Sequence, residues 1–149
     1  MPHKIDQTDA MLQLDNQLCF ALYSASLAMT RLYKPLLDEL GLTYPQYLAM
    51  LVLWEQDGLM VSELGERLFL DSGTLTPLLK RLEAAGLITR IRAVADERRV
   101  LITLSAAGRK LKAQATKIPS CIISATQCSL PDLLALTSQV QALRQRLVA

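Results

Sequence analysis

Apolar positions in the middle of the chain change from a helical to a strand-like spacing. Between residues 72 and 85 they recur at i, i+3, i+4 and i+7, which places them on one helix face and leaves the polar positions for other faces. From residue 87 the β-branched content rises, and LITRIR and VLITLS flank a polar segment, as in a two-stranded hairpin. The pattern therefore predicts a helix with one buried face, followed by a hairpin. The apolar helical positions are Leu75, Leu78, Leu79 and Leu82.

The rest of the chain has helical patterns separated by capping residues, glycines and prolines. The first of these helices is apolar over much of its surface and is expected to be buried on several sides, with Leu18, Leu22, Leu27, Leu32 and Leu36 among its buried positions. The predicted helices span 14–37, 43–56, 62–69, 72–85, 105–126 (bent at Pro119) and 129–147, and the hairpin strands span 87–92 and 100–105. The predicted N-caps are Thr43, Ser62, Asp71 or Ser72, Ser105 and Ser129.

Length and composition indicate one globular domain. The chain has 149 residues, of which 51% are hydrophobic and 20% are charged. Its longest apolar runs, such as residues 48–54, are much shorter than the ~20 residues that cross a bilayer, and the N-terminus has no signal-peptide core. We therefore expect a cytoplasmic protein of mainly α-helical class with a small β-hairpin, and no membrane partner.

Basic residues are concentrated in one part of the chain. Residues 71–117 contain ten Lys or Arg against four Asp or Glu, a net charge of +6, whereas the remainder carries −4. Such an asymmetry favours a basic surface that faces an anionic polymer, although a charge cluster can also be only a solvated face.

Cysteine and histidine usage excludes several kinds of chemistry. Cys19, Cys121 and Cys128 are odd in number and widely separated, which argues against a disulfide framework and against a zinc site. His3 is the single histidine and lies in a polar tail, so we expect no metal site and no histidine-based triad. There is no glycine-rich phosphate loop, and we expect no cofactor.

The helix from residue 72 has the composition of a DNA-reading helix. A helix that enters the major groove needs small hydrogen-bonding groups at its N-terminus and cations further along that reach phosphates. At the hairpin tip, an acidic side chain could orient an arginine for insertion into the minor groove. The alternative is that helix, turn, helix and hairpin are only packing units. The candidate DNA-binding residues are Ser72, Gly73, Thr74, Thr76, Lys80, Arg81, Arg90, Asp96, Arg98 and Arg99, with Arg92 as a further backbone cation.

A family resemblance favours the DNA-binding interpretation. The run DSGTLTPLLKRLEAAGLITR, followed by DERR, resembles the winged helix-turn-helix of the MarR family of bacterial repressors. The resemblance implies a homodimer formed by the N- and C-terminal helices and bound to double-stranded operator DNA. Applied to this chain, it predicts dimerisation helices at 14–40 and 105–147 and a DNA-binding part at 43–104.

The first helix is similar to one branch of that family, the organic-hydroperoxide-sensing OhrR repressors. The similar segment is LDNQLCFALYSASLAMTRLYKPLLDELGLTYPQY. The resemblance implies that Cys19 is the oxidised residue and that Tyr33 and Tyr44, with Tyr23 nearby, hold its thiolate. A free thiol has a reference pKa of ~8.5 and only the thiolate attacks a peroxide, so a mid-helix cysteine needs such donors. Without the resemblance, Cys19 would be read as a buried structural residue.

Two-cysteine members of this branch form a disulfide with a C-terminal cysteine of the other subunit. By that resemblance Cys121 is the favoured resolving residue, with Cys128 as the alternative. Ser124 occupies the position, four before Cys128, where some relatives are expected to carry the resolving cysteine.

The sequence thus predicts a repressor, not an enzyme, that leaves its operator when an organic hydroperoxide oxidises Cys19. Two alternatives remain at this point. One is a repressor of the same fold that is released by a small phenolic ligand at the dimer crevice, with Cys19 inert. The other is a thiol peroxidase, which would leave the basic helix and hairpin without a purpose.

Overall fold

A computed structural model describes residues 7–93 and 96–148, with the side chains of residues 93 and 96–98 excluded. The described chain is mainly helical with one small antiparallel sheet, as the pattern predicts. The helices are α1 (Gln7–Met11), a 3-10 turn (Leu14–Asn16), α2 (Leu18–Asp38), α3 (Tyr44–Glu55), α4 (Val61–Leu68), α5 (Ser72–Ala84), α6 (Ala106–Ala115), α7 (Ile118–Thr126) and α8 (Leu130–Val148). The strands are β1 (Leu59–Met60), β2 (Ile88–Ala93) and β3 (Asp96–Leu104).

The core lies where α3, α4 and α5 pack on the sheet. The apolar face predicted for the helix at 72–85, which is α5 in the structure, is confirmed, because all four leucines of α5 are buried. They lie in one cluster with residues of the neighbouring elements, including Leu53 of α3, Leu64 of α4 and Ile102 of β3, each 0% exposed. Burial of one leucine side chain contributes about 1.5–3 kcal/mol, so this cluster holds the middle of the chain together.

The hairpin is confirmed, and the sheet has one strand more than predicted. β2 pairs with β3 in antiparallel register, with Ile88 opposite Leu104. The short β1 pairs with the other side of β3, with Leu59 opposite Ile102, so β3 is central and β2 is an edge strand. Two residues carry no period-2 signal, which is why the sequence did not reveal β1.

Two predicted helix starts are wrong. The first long helix begins at Leu18, not Leu14, because Gln17 is extended and separates it from the preceding 3-10 turn. The third predicted helix is α4, which begins at Val61. Its N-cap is Met60 and not Ser62, and the backbone N–H of Met60 donates to Glu63 Oε1 at 3.1 Å. A carboxylate three residues on can therefore serve the helix start in place of a hydroxyl.

The predicted helix 105–126 is two helices, not one bent helix. Ser105 is the N-cap as predicted, accepting a hydrogen bond from Gly108 N–H at 3.0 Å. α6 ends at Ala115, and Pro119 lies in the first turn of α7. Proline has no N–H to donate, and the first turn is where a helix tolerates that loss, so a new helix starts there.

Two long helices leave most of their apolar surface uncovered within one chain. α2 buries only Leu37, and α8 buries no residue. Four of the positions expected to be buried in the first helix are exposed in the single chain: Leu18, Leu22, Leu27 and Leu32. Further exposed apolar side chains on the two helices are Phe20, Met29, Leu130, Leu134, Leu136 and Val140. Exposed apolar side chains in this number on two helices indicate an interface. Over the described ranges, no helix is long and apolar enough to cross a membrane.

Gly108 is expected to be required for the seating of α6 against the sheet. A Cβ at this position would lie 2.1 Å from the Leu87 carbonyl oxygen, a backbone atom that also accepts from Ser105 N–H. We expect Gly108→Ala to lower the free energy of unfolding by about 1–3 kcal/mol, as overpacking does. Urea denaturation monitored by circular dichroism measures this.

The matched control is Gly73→Ala in α5, where the nearest contact of the new Cβ, Asp71 Oδ1, lies at an ordinary 3.5 Å. Helix propensity predicts that this control gains up to about 1 kcal/mol. Equal stability of Gly108→Ala and wild type would contradict the close approach.

Candidate redox centre and nucleic-acid interface

Cys19 lies near the start of α2 on the uncovered apolar surface. Its side chain is exposed and forms no disulfide, and its sequence neighbours Leu18 and Phe20 are exposed as well. Tyr23 follows one helical turn later and is 62% exposed. Cys19 is therefore not a buried structural cysteine within the single chain, and a peroxide could reach it.

Three tyrosines form a cluster where α2 meets α3. The ring centroids of Tyr33 and Tyr44 are 4.9 Å apart, and those of Tyr33 and Tyr47 are 5.9 Å apart. Tyr44 and Tyr47 are three residues apart on α3, so both rings point toward α2 from one helix face. Thr43 positions them, because it caps α3 in a reciprocal pair with Gln46. Two of the three predicted thiolate-holding tyrosines thus lie together.

Burial keeps these phenols protonated. It raises the pKa of Tyr33 to about 12, with a further contribution from the neighbouring Tyr44 and Tyr47. Burial also raises the pKa of Tyr44 and of Tyr47. A phenol that stays neutral remains a hydrogen-bond donor, which is the form that can stabilise a thiolate.

Cys19 and the tyrosine cluster are far apart within one chain. Fourteen residues of continuous helix separate Cys19 from Tyr33, a distance of about 21 Å along the axis. The cluster therefore cannot hold the thiolate of its own subunit. Tyr23 is the single predicted tyrosine near Cys19 in sequence, and it lies away from the cluster.

Both candidate resolving cysteines are exposed, one inside α7 and one beyond it. Cys121 lies on α7, whereas Cys128 lies in the turn that leads to α8. α7 packs against α2, and Lys117 Nζ lies 2.7 Å from Glu39 Oε2, just beyond the end of α2. Cys121 therefore lies at the same end of α2 as the tyrosine cluster.

The N-terminus of α5 presents small polar side chains to solvent. Of the two predicted caps, Asp71 is the one used: its Oδ1 accepts from Thr74 N–H at 2.7 Å, and this hydrogen bond lowers the pKa of Asp71. The Ser72 hydroxyl is thus not needed for capping. Ser72, Gly73 and Thr74 are exposed, and Thr76 is half-buried.

A tight turn joins α4 to α5. Phe69 ends α4 in the left-handed region at φ 57°, and Gly65 permits the close approach of the Leu70 carbonyl, since a Cβ there would lie 2.7 Å from that oxygen. The guanidinium of Arg144 in α8 lies 4.0 Å from the centroid of the Phe69 ring. This cation–π contact links a terminal helix to the turn between the two helices.

The cations around α5 differ in their surroundings. Lys80 and Arg81 are exposed on α5, as are Arg92 and Arg99 on the hairpin. Arg90 is half-buried and paired with Glu83 of α5, with Nη2 3.1 Å from Oε1. The predicted tip residues Asp96 and Arg98 belong to strand β3, but their side chains lie outside the described residues.

Two residues of this arrangement were missed in the sequence. Tyr47 completes the tyrosine cluster and is only 3% exposed; its signal was the three-residue spacing from Tyr44. Glu83 pairs with Arg90 across the turn from α5 to β2, and no local pattern marks a pair seven residues apart. Among residues 7–93 and 96–148, no group of three His, Cys, Asp or Glu side chains is placed to hold a metal ion.

A helix pair with an exposed polar N-terminus, followed by an antiparallel hairpin, defines a winged helix-turn-helix DNA-binding protein. Residues 31–115 match the family described as transcriptional regulator SarA/Rot. The chain is also 52% identical over 147 residues to the organic hydroperoxide resistance transcriptional regulator of Bacillus subtilis. The aligned residues cover 99% of this chain and 97% of the relative.

Solved structures of the regulator AbfR have a fold similar to that of this chain. AbfR of Staphylococcus epidermidis in its reduced form, bound to DNA, superimposes with a TM-score of 0.78 at 31% identity, over 95% of this chain and 99% of that one. The disulfide form of AbfR gives a TM-score of 0.60 at 34% identity, over 95% of this chain and 94% of that one. The conformation described here is therefore nearer to the DNA-bound form of AbfR than to its disulfide form.

The chain belongs to the MarR-type family of winged helix-turn-helix transcriptional regulators, in the branch of the organic hydroperoxide resistance regulators. The family and fold class predicted from the sequence are thereby confirmed. It is a DNA-binding regulator of transcription.

We expect the Tyr33 phenol to account for the ionisation step at the highest pH in a titration of the tyrosines. Because folding raises its pKa to about 12, the neutral form stabilises the fold below pH ~10, and this contribution is lost as the pH rises toward 12. We expect Tyr33→Phe to remove the step near pH 12 from the phenolate absorbance curve and to reduce the loss of stability between pH 10 and 12. Ultraviolet titration and urea denaturation at each pH measure both effects.

The control is Tyr23→Phe, which removes an exposed phenol and should leave the step near pH 12 in place. Retention of that step in Tyr33→Phe would show that another phenol carries it.

Proposed function

We propose that the protein is a homodimeric repressor that binds operator DNA while Cys19 is reduced and leaves it after an organic hydroperoxide oxidises Cys19. The observation that carries the proposal is the placement of Cys19 and the tyrosine cluster at opposite ends of an α2 whose apolar surface is uncovered. We place this repressor in the cytoplasm, with its operator.

Two-fold pairing of α2 would bring the separated groups together. In an isologous dimer, residue i of one subunit contacts residue j of the other, and j contacts i. If Cys19 faces the partner subunit's Tyr33, the two-fold axis passes near residue 26, midway between them. The α2 residues around that position are small, namely Ser24, Ala25, Ser26 and Ala28, so two helices can approach closely there.

Two hydroxyls near this crossing need no partner from the other subunit. Ser24 Oγ donates to the Phe20 carbonyl oxygen at 2.7 Å, and Thr30 Oγ1 donates to the Leu27 carbonyl oxygen at 2.9 Å. Burial of these two side chains in a dimer therefore leaves neither of their hydroxyls unsatisfied. The terminal helices 14–40 and 105–147 would form this interface, and 43–104 would bind DNA.

In the proposed dimer, Tyr33 and Tyr44 of one subunit donate hydrogen bonds to the Cys19 thiolate of the other, and Tyr23 closes the site beside the thiol. The raised pKa values of Tyr33 and Tyr44 support this role, because these two hydroxyls remain donors at neutral pH. The apolar side chains around Cys19 favour a hydroperoxide with an organic group over hydrated hydrogen peroxide.

The reaction balances with one hydroperoxide and two thiols. The Cys19 thiolate attacks the terminal peroxide oxygen, and the S–O bond forms as the O–O bond breaks. The leaving alkoxide takes up the proton that the thiol had lost and departs as an alcohol. A second thiolate then attacks the sulfenic sulfur and releases water, which leaves a disulfide. We propose that Cys121 supplies this second thiolate, with Cys128 as the alternative, because α7 lies at the tyrosine end of α2.

Disulfide formation would shift α7 and α8 relative to the partner, and the DNA-reading parts would no longer match half-sites about 34 Å apart. The contact of Arg144 with Phe69 gives α8 a direct link to the turn before α5. The lower similarity to disulfide AbfR than to its reduced, DNA-bound form supports a change of this kind.

The proposed DNA contacts are made by the exposed groups of α5 and the wing. Ser72, Gly73 and Thr74 would face base edges, with Thr76 half-buried behind them, while Lys80 and Arg81 would reach phosphates. On the wing, Arg99 is exposed, and Asp96 with Arg98 stay candidates for the minor groove.

Cys19→Ser should bind operator DNA as the reduced wild type does but should not leave it after treatment with cumene hydroperoxide. Serine keeps the size of the side chain and removes the nucleophile. Fluorescence anisotropy of a labelled operator duplex, at fixed salt and with and without peroxide, measures this.

Release of the Cys19→Ser variant by peroxide would refute the sensing role, and wild-type binding that peroxide does not alter would favour release by a small ligand instead. Repeated consumption of peroxide in the presence of a thiol reductant would indicate a peroxidase.

Cys121→Ser should abolish the peroxide-induced dimer band on a non-reducing gel, while Cys128→Ser should retain it. The reason is the position of Cys121 on α7, which packs against α2 and whose preceding residue Lys117 pairs with Glu39 just beyond the Tyr33 end of α2. A band lost only in Cys128→Ser would transfer the resolving role to that residue.

A further inference from the structure

Strand β2 is an edge strand whose outward side meets the DNA-reading helix. The sheet order is β1-β3-β2, so only one side of β2 is paired with another strand. Backbone N–H groups on the other side need a partner outside the sheet. Arg90 is one such residue: its backbone N–H donates to Glu83 Oε2 of α5 at 3.2 Å.

Glu83 holds Arg90 through both the backbone and the side chain. The second carboxylate oxygen, Oε1, accepts from Arg90 Nη2 at 3.1 Å. The two hydrogen bonds act on one residue from one carboxylate, so they restrain the position of β2 relative to the end of α5. The Arg90 side chain is 26% exposed, and its Nε is buried without a hydrogen-bond partner among the described residues.

The pair lines a cleft between α5 and the wing. This cleft has a volume of about 390 Å³, and its lining residues are Thr76, Lys80, Glu83, Arg90, Arg92 and Val100. Lys80 on the helix and Arg92 on the strand are exposed cations on opposite sides of the cleft. They can engage one DNA backbone together only if the helix and the wing keep a defined angle.

We propose that Glu83 and Arg90 are positioning residues that set the angle of the wing relative to the DNA-reading helix, and that Arg90 does not bind a phosphate. The proposal rests on the proposed operator binding by α5 and the wing, and it replaces the phosphate-binding role that the sequence predicts for Arg90. Glu83 thus contributes to operator binding although it carries a charge that DNA repels.

Electrostatics and positioning predict opposite results for Glu83→Gln. The substitution makes the protein more positive by one charge, which by charge alone would strengthen binding to any duplex. Loss of the charged hydrogen bonds to Arg90 would instead loosen the wing and weaken binding. We expect about tenfold weaker binding of the reduced protein to a duplex selected from a random-sequence pool with the wild type.

Glu55→Gln is the matched control. Glu55 pairs with Arg67 at 2.8 Å, so this variant also breaks a glutamate–arginine pair and adds the same charge, but it joins α3 to α4 and does not touch the wing. We expect its binding to the same duplex to equal or slightly exceed that of the wild type. Stronger or unchanged binding of Glu83→Gln as well would overturn the proposal.

The dependence of affinity on salt separates positioning from phosphate binding for Arg90. A phosphate contact contributes about 0.9 to the slope of log K against log salt concentration. We expect Arg90→Ala to lose affinity with an unchanged slope, whereas Lys80→Ala and Arg92→Ala lower the slope by about that amount. A lowered slope in Arg90→Ala would show that Arg90 binds a phosphate, and would overturn the proposal while leaving DNA binding intact.

Hydrogen exchange in the free protein tests the pair without DNA. Because the Arg90 N–H donates to Glu83, its exchange should be faster in Glu83→Ala, together with neighbouring amides of β2, while the amides of α3 keep their wild-type rates. Unchanged exchange at Arg90 would overturn the proposal regardless of any duplex. If exchange changes but the wild type selects no duplex from the pool, the proposed DNA-binding function itself fails, and the positioning role fails with it.

Discussion

The exposed apolar surface of α2 is the feature on which the proposed dimer and its redox site both depend. α2 has 21 residues and buries only Leu37 within its own chain. In a monomer, many of its other apolar side chains would stay in contact with water, which is unfavourable. Packing α2 against a second copy removes this surface from water at about 25 cal/mol per Å². In the proposed dimer the same packing assembles the redox site, so the thiol is activated only in the assembled protein.

In the proposed dimer, the thiol and the phenols that stabilise its thiolate would come from different subunits. Each subunit would contribute a thiol at one end of α2 and neutral phenols at the other, so that each site would take one part from each chain. A change at the sulfur is then necessarily a change at the subunit interface. A typical coupling free energy of about 1–3 kcal/mol alters the affinity for DNA about 5- to 150-fold, which is enough for a transcriptional switch.

The DNA-binding part depends on a few local hydrogen bonds whose partners are close in space. Asp71 caps α5 and leaves the Ser72 hydroxyl available, and Glu83 fastens the end of the same helix to the edge of the sheet. The N-terminus of α5, which is proposed to face DNA, and the wing beside it are therefore both fixed by side chains near the two ends of α5. The core beneath them is formed by leucines that the helical spacing had already placed on one face.

The sequence by itself determined the leucine face of α5, the hairpin, the fold class and the family, because local spacing and short motifs express these directly. It determined less about boundaries: the split between α6 and α7 and the two-residue strand β1 depend on a proline in a new first turn and on pairing with β3. Tertiary structure decided which residues meet. It brought Tyr47 to Tyr33 and put Glu83 on Arg90. Contacts between residues distant in the chain depend on packing and not on local pattern. For that reason the helical pattern could place Cys19 and Tyr33 far apart on one helix, whereas only the tertiary structure showed which side chains surround Tyr33 and Arg90.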